Sequence, residues 1–252
     1  MNAQLLLALQ PIVNVSINQY VGHEVLSRFC VPPDILPPHP YVKEGEWAKL
    51  DADVSEVVLE RMMKTHSYLR LPVFMNISSH TLGDTGLFEE WLERLKGIDA
   101  FVRSRLVIEV SETTAREALD QRWDALKSAG VKLAIDDFGR ENSGFKRLVD
   151  FPWDYCKFFG PSLEQALKAS ALEHCHAANK RPIMECIENE QASTTALNQG
   201  CDFQQGFLFA RPPLLESSVL ILNSDHPPMF RRDRSGDVLL NNSFGALDAY
   251  TA

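Results

Sequence analysis

Short apolar runs alternate along this chain with longer stretches in which apolar residues recur every three or four positions, the signature of repeated strand and helix units. The runs at 5–13, 20–29, 73–77, 106–110, 132–138, 155–159, 181–187 and 203–209 are read as strands. Helical spacing covers 47–70, where Leu50, Val54, Val57, Val58, Met62 and Leu69 share one period, and also 86–96, 115–129, 162–178 and 190–198. Gly130 and Gly200 follow two of these stretches as helix stops. The loop near 15–19 is too short for a crossover helix, so the first two strands pair antiparallel while the others can run parallel. Eight strands with helices between them in 252 residues predict an α/β fold, a TIM-like (β/α)8 barrel with its first strand antiparallel.

Composition trims this picture. The segment Pro-Pro-Asp-Ile-Leu-Pro-Pro-His-Pro at 32–40 is expected to be an extended surface loop. After Leu222 the chain turns to His-Pro-Pro, a basic cluster (Arg231, Arg232, Arg234) and then Gly, Asn and Ser, which predicts a barrel domain over 1–220 and a weakly ordered tail over 221–252. A net charge of -9, from 34 acidic against 25 basic residues, argues against a nucleic-acid polymer as partner. Five scattered cysteines without a Cys-x-x-Cys pair suggest neither a disulfide framework nor a zinc site, and fit a reducing cytoplasm. The apolar run at 5–9 is short, lacks a basic flank and leads into Gln10-Pro11, so it is read as a strand, not as a signal peptide or membrane span.

Polar residues gather where the candidate strands end, the rim that carries chemistry in such barrels. The fifth strand runs Val131-Lys-Leu-Ala-Ile into Asp136-Asp137-Phe138-Gly139, and two adjacent carboxylates at a strand end can reach one cation or share two. Around them fall Glu24, Asn76, Glu109, Glu112, Lys157, Glu185, Glu188 and Gln205. So many carboxylates buried together must take up protons or hold cations, and oxygen ligands without histidine or cysteine suit Mg²⁺ or Mn²⁺. A lysine inside the aromatic strand around Lys157 likewise needs an anionic partner.

These motifs, in this order, resemble the EAL domain family, the cyclic di-GMP phosphodiesterases named for a Glu-Ala-Leu motif. Leu9-Gln10-Pro11-Ile12 is similar to the family's Gln-Pro-Ile opening, and Glu24-Val25-Leu26-Ser27-Arg28 to Glu-Ala-Leu-Leu-Arg. Asn76-Ile77-Ser78 stands for Asn-Leu-Ser, Glu109-Val110-Ser111-Glu112 for Glu-Leu-Thr-Glu, and Asp136-Asp137-Phe138-Gly139 is intact. Glu185-Cys186-Ile187-Glu188 resembles Glu-Gly-Val-Glu, and Gln205-Gly206-Phe207-Leu208-Phe209 resembles Gln-Gly-Tyr-Leu-Phe. The resemblance implies two divalent cations, with Glu24, Asn76, Glu109 and Asp136 as ligands of one, Asp136 bridging, and Asp137 on the second. It implies that Lys157 and Glu185 orient or deprotonate the attacking water and that Glu112 holds the loop after Asp137. Gln10, Leu26, Arg28 and Gln205 are the implied substrate-binding residues, the substrate being cyclic di-GMP and the product linear pGpG. A homodimer is the implied assembly, and with no synthase or sensor motif beside the barrel, a regulator is expected to act in trans.

The chain also departs from the family's pattern. Arg140-Glu141-Asn142-Ser143-Gly144 replaces Thr-Gly-Tyr/Asn-Ser-Ser, so Glu141 stands where a glycine is usual, and Lys157-Phe158-Phe159 replaces Lys-Ile-Asp, which removes a carboxylate. The segment between Lys157 and Glu185 is shorter than in the family, which is expected to shorten the sixth helix, a dimer-packing surface there. A receptor that binds the dinucleotide without cutting it, and a protein-interaction barrel, are the competing readings.

Overall fold

All eight predicted strands form in the computed structural model, which describes residues 4–31, 34–39, 41–64, 71–111, 113–139, 145–159, 165–215, 230–232 and 238–240. Strands β1 (Gln4–Asn14) and β2 (Gln19–Val31) make a long antiparallel hairpin, and β3 (Asp34–Leu36) adds to the far edge of β2. Helix α1 (Trp47–Lys64) leads to β4 (Val73–Ile77), the short α2 (Ser79–Gly83), α3 (Thr85–Lys96), α4 (Ala100–Arg103) and β5 (Leu106–Ser111). Then come α5 (Arg116–Ser128), β6 (Lys132–Phe138), α6 (Phe145–Asp150), β7 (Tyr155–Phe159), α7 (Gln165–Ala177), β8 (Arg181–Glu185), α8 (Glu190–Asn198) and β9 (Phe203–Gln204). The strand order β1-β9-β8-β7-β6-β5-β4-β2 closes because β2 returns to β1, and β1 runs antiparallel to both of its neighbours. From β2 round to β9 every pairing is parallel.

The period of two along each strand builds the barrel in layers. Ile12, Phe74, Val107, Ala134, Tyr155, Ile183 and Phe203 point inward and pack as one cluster, a dry floor. On β2 the same level is Gly22, where a Cβ would lie 2.8 Å from the Phe74 ring, so the phenyl group fills the space a side chain would need. The outward faces carry Met75, Ile108, Val110, Leu133, Ile135, Cys156 and Met184 into a larger core under the helices, which present Val58, Met62, Leu92, Leu119, Leu126 and Leu172. Among the described residues no helix is long and apolar enough to cross a membrane.

Several expectations change in detail. Residues 34–36 of the proline-rich segment are a strand, not loop: between the prolines Asp34, Ile35 and Leu36 keep their N–H groups, and the extended backbone that proline enforces on its neighbours is also edge-strand backbone. The β8 strand stops at Glu185 because Cys186 takes φ 57°, and β9 stops at Gln204, after which Phe209 N and Ala210 N turn back onto Gly206 O. Residues 65–70 and 162–164 of two predicted helices lie outside the described residues, as does most of the expected tail. Within that tail, β10 (Phe230–Arg232) and β11 (Val238–Leu240) pair as an antiparallel hairpin.

Candidate active site

The layer above the floor is polar. Two residues beyond each floor residue, in the direction of the mouth, stand Glu24 on β2, Asn76 on β4, Glu109 on β5, Asp136 on β6, Lys157 on β7, Glu185 on β8 and Gln205 just past β9. On β1, which runs the other way, the matching position is Gln10, two residues before Ile12. Strand periodicity therefore brings one predicted site residue from each strand to a single level.

Lys157 is the hub of that level. Its Nζ lies 2.7 Å from Glu109 Oε1, 3.0 Å from Asp136 Oδ1, 3.0 Å from Glu185 Oε1 and 3.1 Å from Glu24 Oε2, and the side chain is 1% exposed. Asn76 Nδ2 donates to Glu24 Oε1 and Glu109 Oε2, both at 3.1 Å, and Gln205 Nε2 donates to Glu24 Oε2 at 2.6 Å and Gln10 Oε1 at 3.1 Å. Glu24 thus gathers donors from three sides. Burial pushes its carboxyl up, but the Lys157 charge and the hydrogen bonds from Gln205, Lys157 and Asn76 bring it below the ordinary value.

The other acids go the opposite way. Burial, with repulsion from Glu24, holds Glu109 well above the usual carboxylate range against the pull of Lys157. Burial likewise raises Asp136 and Glu185 against Lys157, helped by the charges of Glu24 and Asp137. For Lys157 itself burial disfavours the charge, yet its four acidic neighbours outweigh that and lift its pKa well above normal. One ammonium cannot neutralise four carboxylates.

At Asp136-Asp137 strand β6 bulges: Ile135 pairs with Cys156 and Phe138 with Phe158, so β6 spends one extra residue there. Asp137 absorbs it at φ 53°, a left-handed conformation that aspartate tolerates better than most residues. The bulge keeps Asp136 inward, lets Phe138 rejoin the core against the Phe158 ring, and leaves Asp137 half-buried at the mouth. The carboxylate pair reaches one end of the barrel through this bulge. Across the mouth, Leu26 and Arg28 follow Glu24 at every second position of β2 and border a cavity of about 450 Å³ that also meets Asn76, Ser78 and Asp51. Glu188 lies exposed past β8. Glu112 and the variant loop 140–144 lie outside the described residues.

Among the described residues no three carboxylate, imidazole or thiol groups are already set at metal-ligand spacing, the acids being turned onto the Lys157 ammonium. The donor set nevertheless suits a hard cation. It is oxygen-rich, and besides the carboxylate oxygens that crowd one ammonium, Glu185 Oε2 and Gln205 Oε1 are buried without a hydrogen-bond donor. One residue of the surroundings escaped the sequence reading, the buried Asp51 of α1. Its signal was present in the chain, a carboxylate on the same helical stripe as Val54, Ser55, Val58 and Met62.

Comparison with known proteins agrees with this geometry. The probable cyclic di-GMP phosphodiesterase PdeN of Escherichia coli is 25% identical over 244 residues, covering 90% of this chain and 47% of PdeN. The PaMucR phosphodiesterase, solved in complex with c-di-GMP, is 27% identical with a TM-score of 0.67, over 83% of this chain and 96% of that one. BlrP1 of Klebsiella pneumoniae, solved with manganese and cyclic di-GMP, shares the fold at a TM-score of 0.71 and 23% identity, over 85% of this chain and 57% of that one. The chain spans half or less of the length of several curated relatives, down to 27%. The sequence profile described as EAL domain matches residues 1–212, so with its closed barrel and acidic mouth the chain belongs to the EAL domain family.

Proposed function

We propose that this chain hydrolyses cyclic di-GMP to linear pGpG with two divalent cations, Mg²⁺ or Mn²⁺, at the barrel mouth. The observation that carries the reading is the surplus of buried acceptor oxygens around Lys157, which asks for positive charge beyond one ammonium. Glu24, Asn76, Glu109 and Asp136 are assigned to one cation, and Asp136 with Asp137 to the second. When bound, such cations lower the pKa of water and neutralise charge on the phosphate oxygens. The chain's own groups then have distinct tasks. Glu185, with its carboxyl pushed up by burial and 3.0 Å from Lys157 Nζ, is suited to take a proton from water, while the ammonium keeps that water oriented. Gln205 and Asn76 fix Glu24 from two sides. Arg28 is assigned to a phosphate of the substrate, and Leu26 and Gln10 to its base and backbone. Glu112 is assigned to the loop after Asp137.

The relatives support the reading: two of the proteins above carry phosphodiesterase in their names, and two were solved with cyclic di-GMP. The test is incubation of the purified chain with cyclic di-GMP and Mg²⁺ or Mn²⁺, following pGpG by chromatography and dinucleotide binding in parallel. Turnover abolished by chelation is the expected result. Binding without turnover overturns hydrolysis in favour of a receptor, and the absence of both overturns the nucleotide reading.

A further inference from the structure

Asp51 sits in the apolar face of α1 with 7% of its surface exposed, an expensive place for a carboxylate without partners. Its partners all come from the turn that leaves β4. Oδ2 accepts from Ser78 N at 2.9 Å, Ser78 Oγ at 2.6 Å and Thr81 Oγ1 at 2.5 Å. Ser78 Oγ in turn accepts from Thr81 N at 3.3 Å and caps α2. Two residues upstream is Asn76, whose amide spans Glu24 and Glu109 in the polar layer. From the last inward position of β4 the chain thus passes directly into a turn held at three points by a carboxylate from another helix.

We propose that Asp51 is a positioning residue for Asn76, acting through Ser78: it fixes where β4 ends and so where the Asn76 amide stands at the metal site. The inference rests on the metal reading given above and adds a residue to it. An amide at the exposed end of a strand has soft torsions, and ligand atoms must be held to about 0.5 Å by the groups behind them. Packing of α1 onto the barrel alone does not need this arrangement, since Ser55, one turn along the same helix, makes a comparable buried bond by accepting from Trp91 Nε1 at 2.8 Å. That bond ties α1 to α3 and has no link to β4.

The experiment is a titration of the full chain with Mn²⁺ alone, without nucleotide, read by electron paramagnetic resonance of free Mn²⁺, with a melting temperature for each variant. Asp51→Ala is expected to weaken Mn²⁺ binding by about tenfold or more, in the range seen for groups that orient metal ligands. Asp51→Asn, which keeps an oxygen for the Ser78 N–H, is expected to recover part of that loss, and Thr81→Val to lose less. Ser55→Ala is expected to lower the melting temperature while binding Mn²⁺ as the wild type does. Equal affinity in wild type and Asp51→Ala, or equal weakening in Ser55→Ala, overturns the proposal. If Asp51→Ala does not fold, Asp51→Asn and Thr81→Val carry the same criterion. A wild-type chain that takes up no Mn²⁺ overturns the metal reading itself, an outcome separate from wild-type binding that Asp51→Ala leaves unchanged.

Discussion

Lys157→Met tests whether one ammonium holds the acidic mouth together. The wild-type side chain is 1% exposed and stands within 3.1 Å of four carboxylates on four different strands. Methionine keeps the length and removes the charge, leaving like charges facing one another in a desolvated layer. Breaking a buried ion pair by deleting one partner costs about 3–5 kcal/mol. At the 2–4 °C per kcal/mol typical of chains this long, the melting temperature in EDTA should fall by about 6–20 °C. The loss depends on pH in a direction the site dictates. Burial already raises Glu109, Asp136 and Glu185, and without the ammonium they rise further. A carboxyl whose folded pKa exceeds its unfolded one gives stability that is complete below the unfolded value of about 4.5 and is lost as pH rises through the folded value. The deficit should therefore be large near about pH 8 and shrink as pH falls toward about 5, where the acids carry protons of their own. Mn²⁺ should narrow it as well, since a cation among the carboxylates replaces the charge the variant has lost and so relieves more repulsion there than in the wild type. Circular dichroism melts of both chains across this range give the answer. A variant that melts with the wild type in EDTA at the alkaline end refutes the reasoning, and so does a deficit that grows on acidification.

The remaining expectations concern the site and its supports. Glu24→Ala removes an acid that also accepts from Lys157, Gln205 and Asn76; pGpG formation should fall by at least about a hundredfold with the far-ultraviolet spectrum unchanged. Phe159→Asp should raise turnover on the order of tenfold, the equivalent of about 1.4 kcal/mol, if a missing carboxylate beside β8 limits the wild type, and steady-state rates of the two chains decide it. Gly206→Ala would place a Cβ 2.1 Å from Ile187 O and 2.3 Å from Ile187 N, backbone atoms that cannot step aside, so the loss should be about 3 kcal/mol or more, read as a denaturation midpoint.

What the chain discloses before folding follows from the reach of each rule. Strand sites were legible because burial on both faces makes a parallel strand an apolar run, and the polar interruptions at Glu24, Asn76, Glu109, Asp136, Lys157, Glu185 and Gln205 stood out against that background. Helix ends were legible where a glycine marked them, as after α5 and α8, where Gly130 takes φ 78° and Gly200 takes φ 81°. Features set by contacts distant in sequence were not. The Asp136-Asp137 bulge depends on the register of β6 against β7, and β3 depends on β2 offering its edge; neither partner is local. Asp51 carried a pattern signal, yet its partners Ser78 and Thr81 lie 27 and 30 residues away.

The Asp-Asp strand marks the site in the sequence, but Lys157 organises it in space. A strand end can present two carboxylates without saying what they face, whereas a lysine in the middle of an aromatic strand can be buried only if other strands bring acids to it. Gln10 and Gln205 show the same logic on the neutral side: their side chains meet 195 residues apart because β1 runs backward beside β9, so that two residues before Ile12 and two residues after Phe203 both lead toward the mouth. The antiparallel first strand is thus more than a variation on a parallel barrel. It places an amide where Gln205 can lean on it, and Gln205, so held, directs its remaining hydrogen at Glu24.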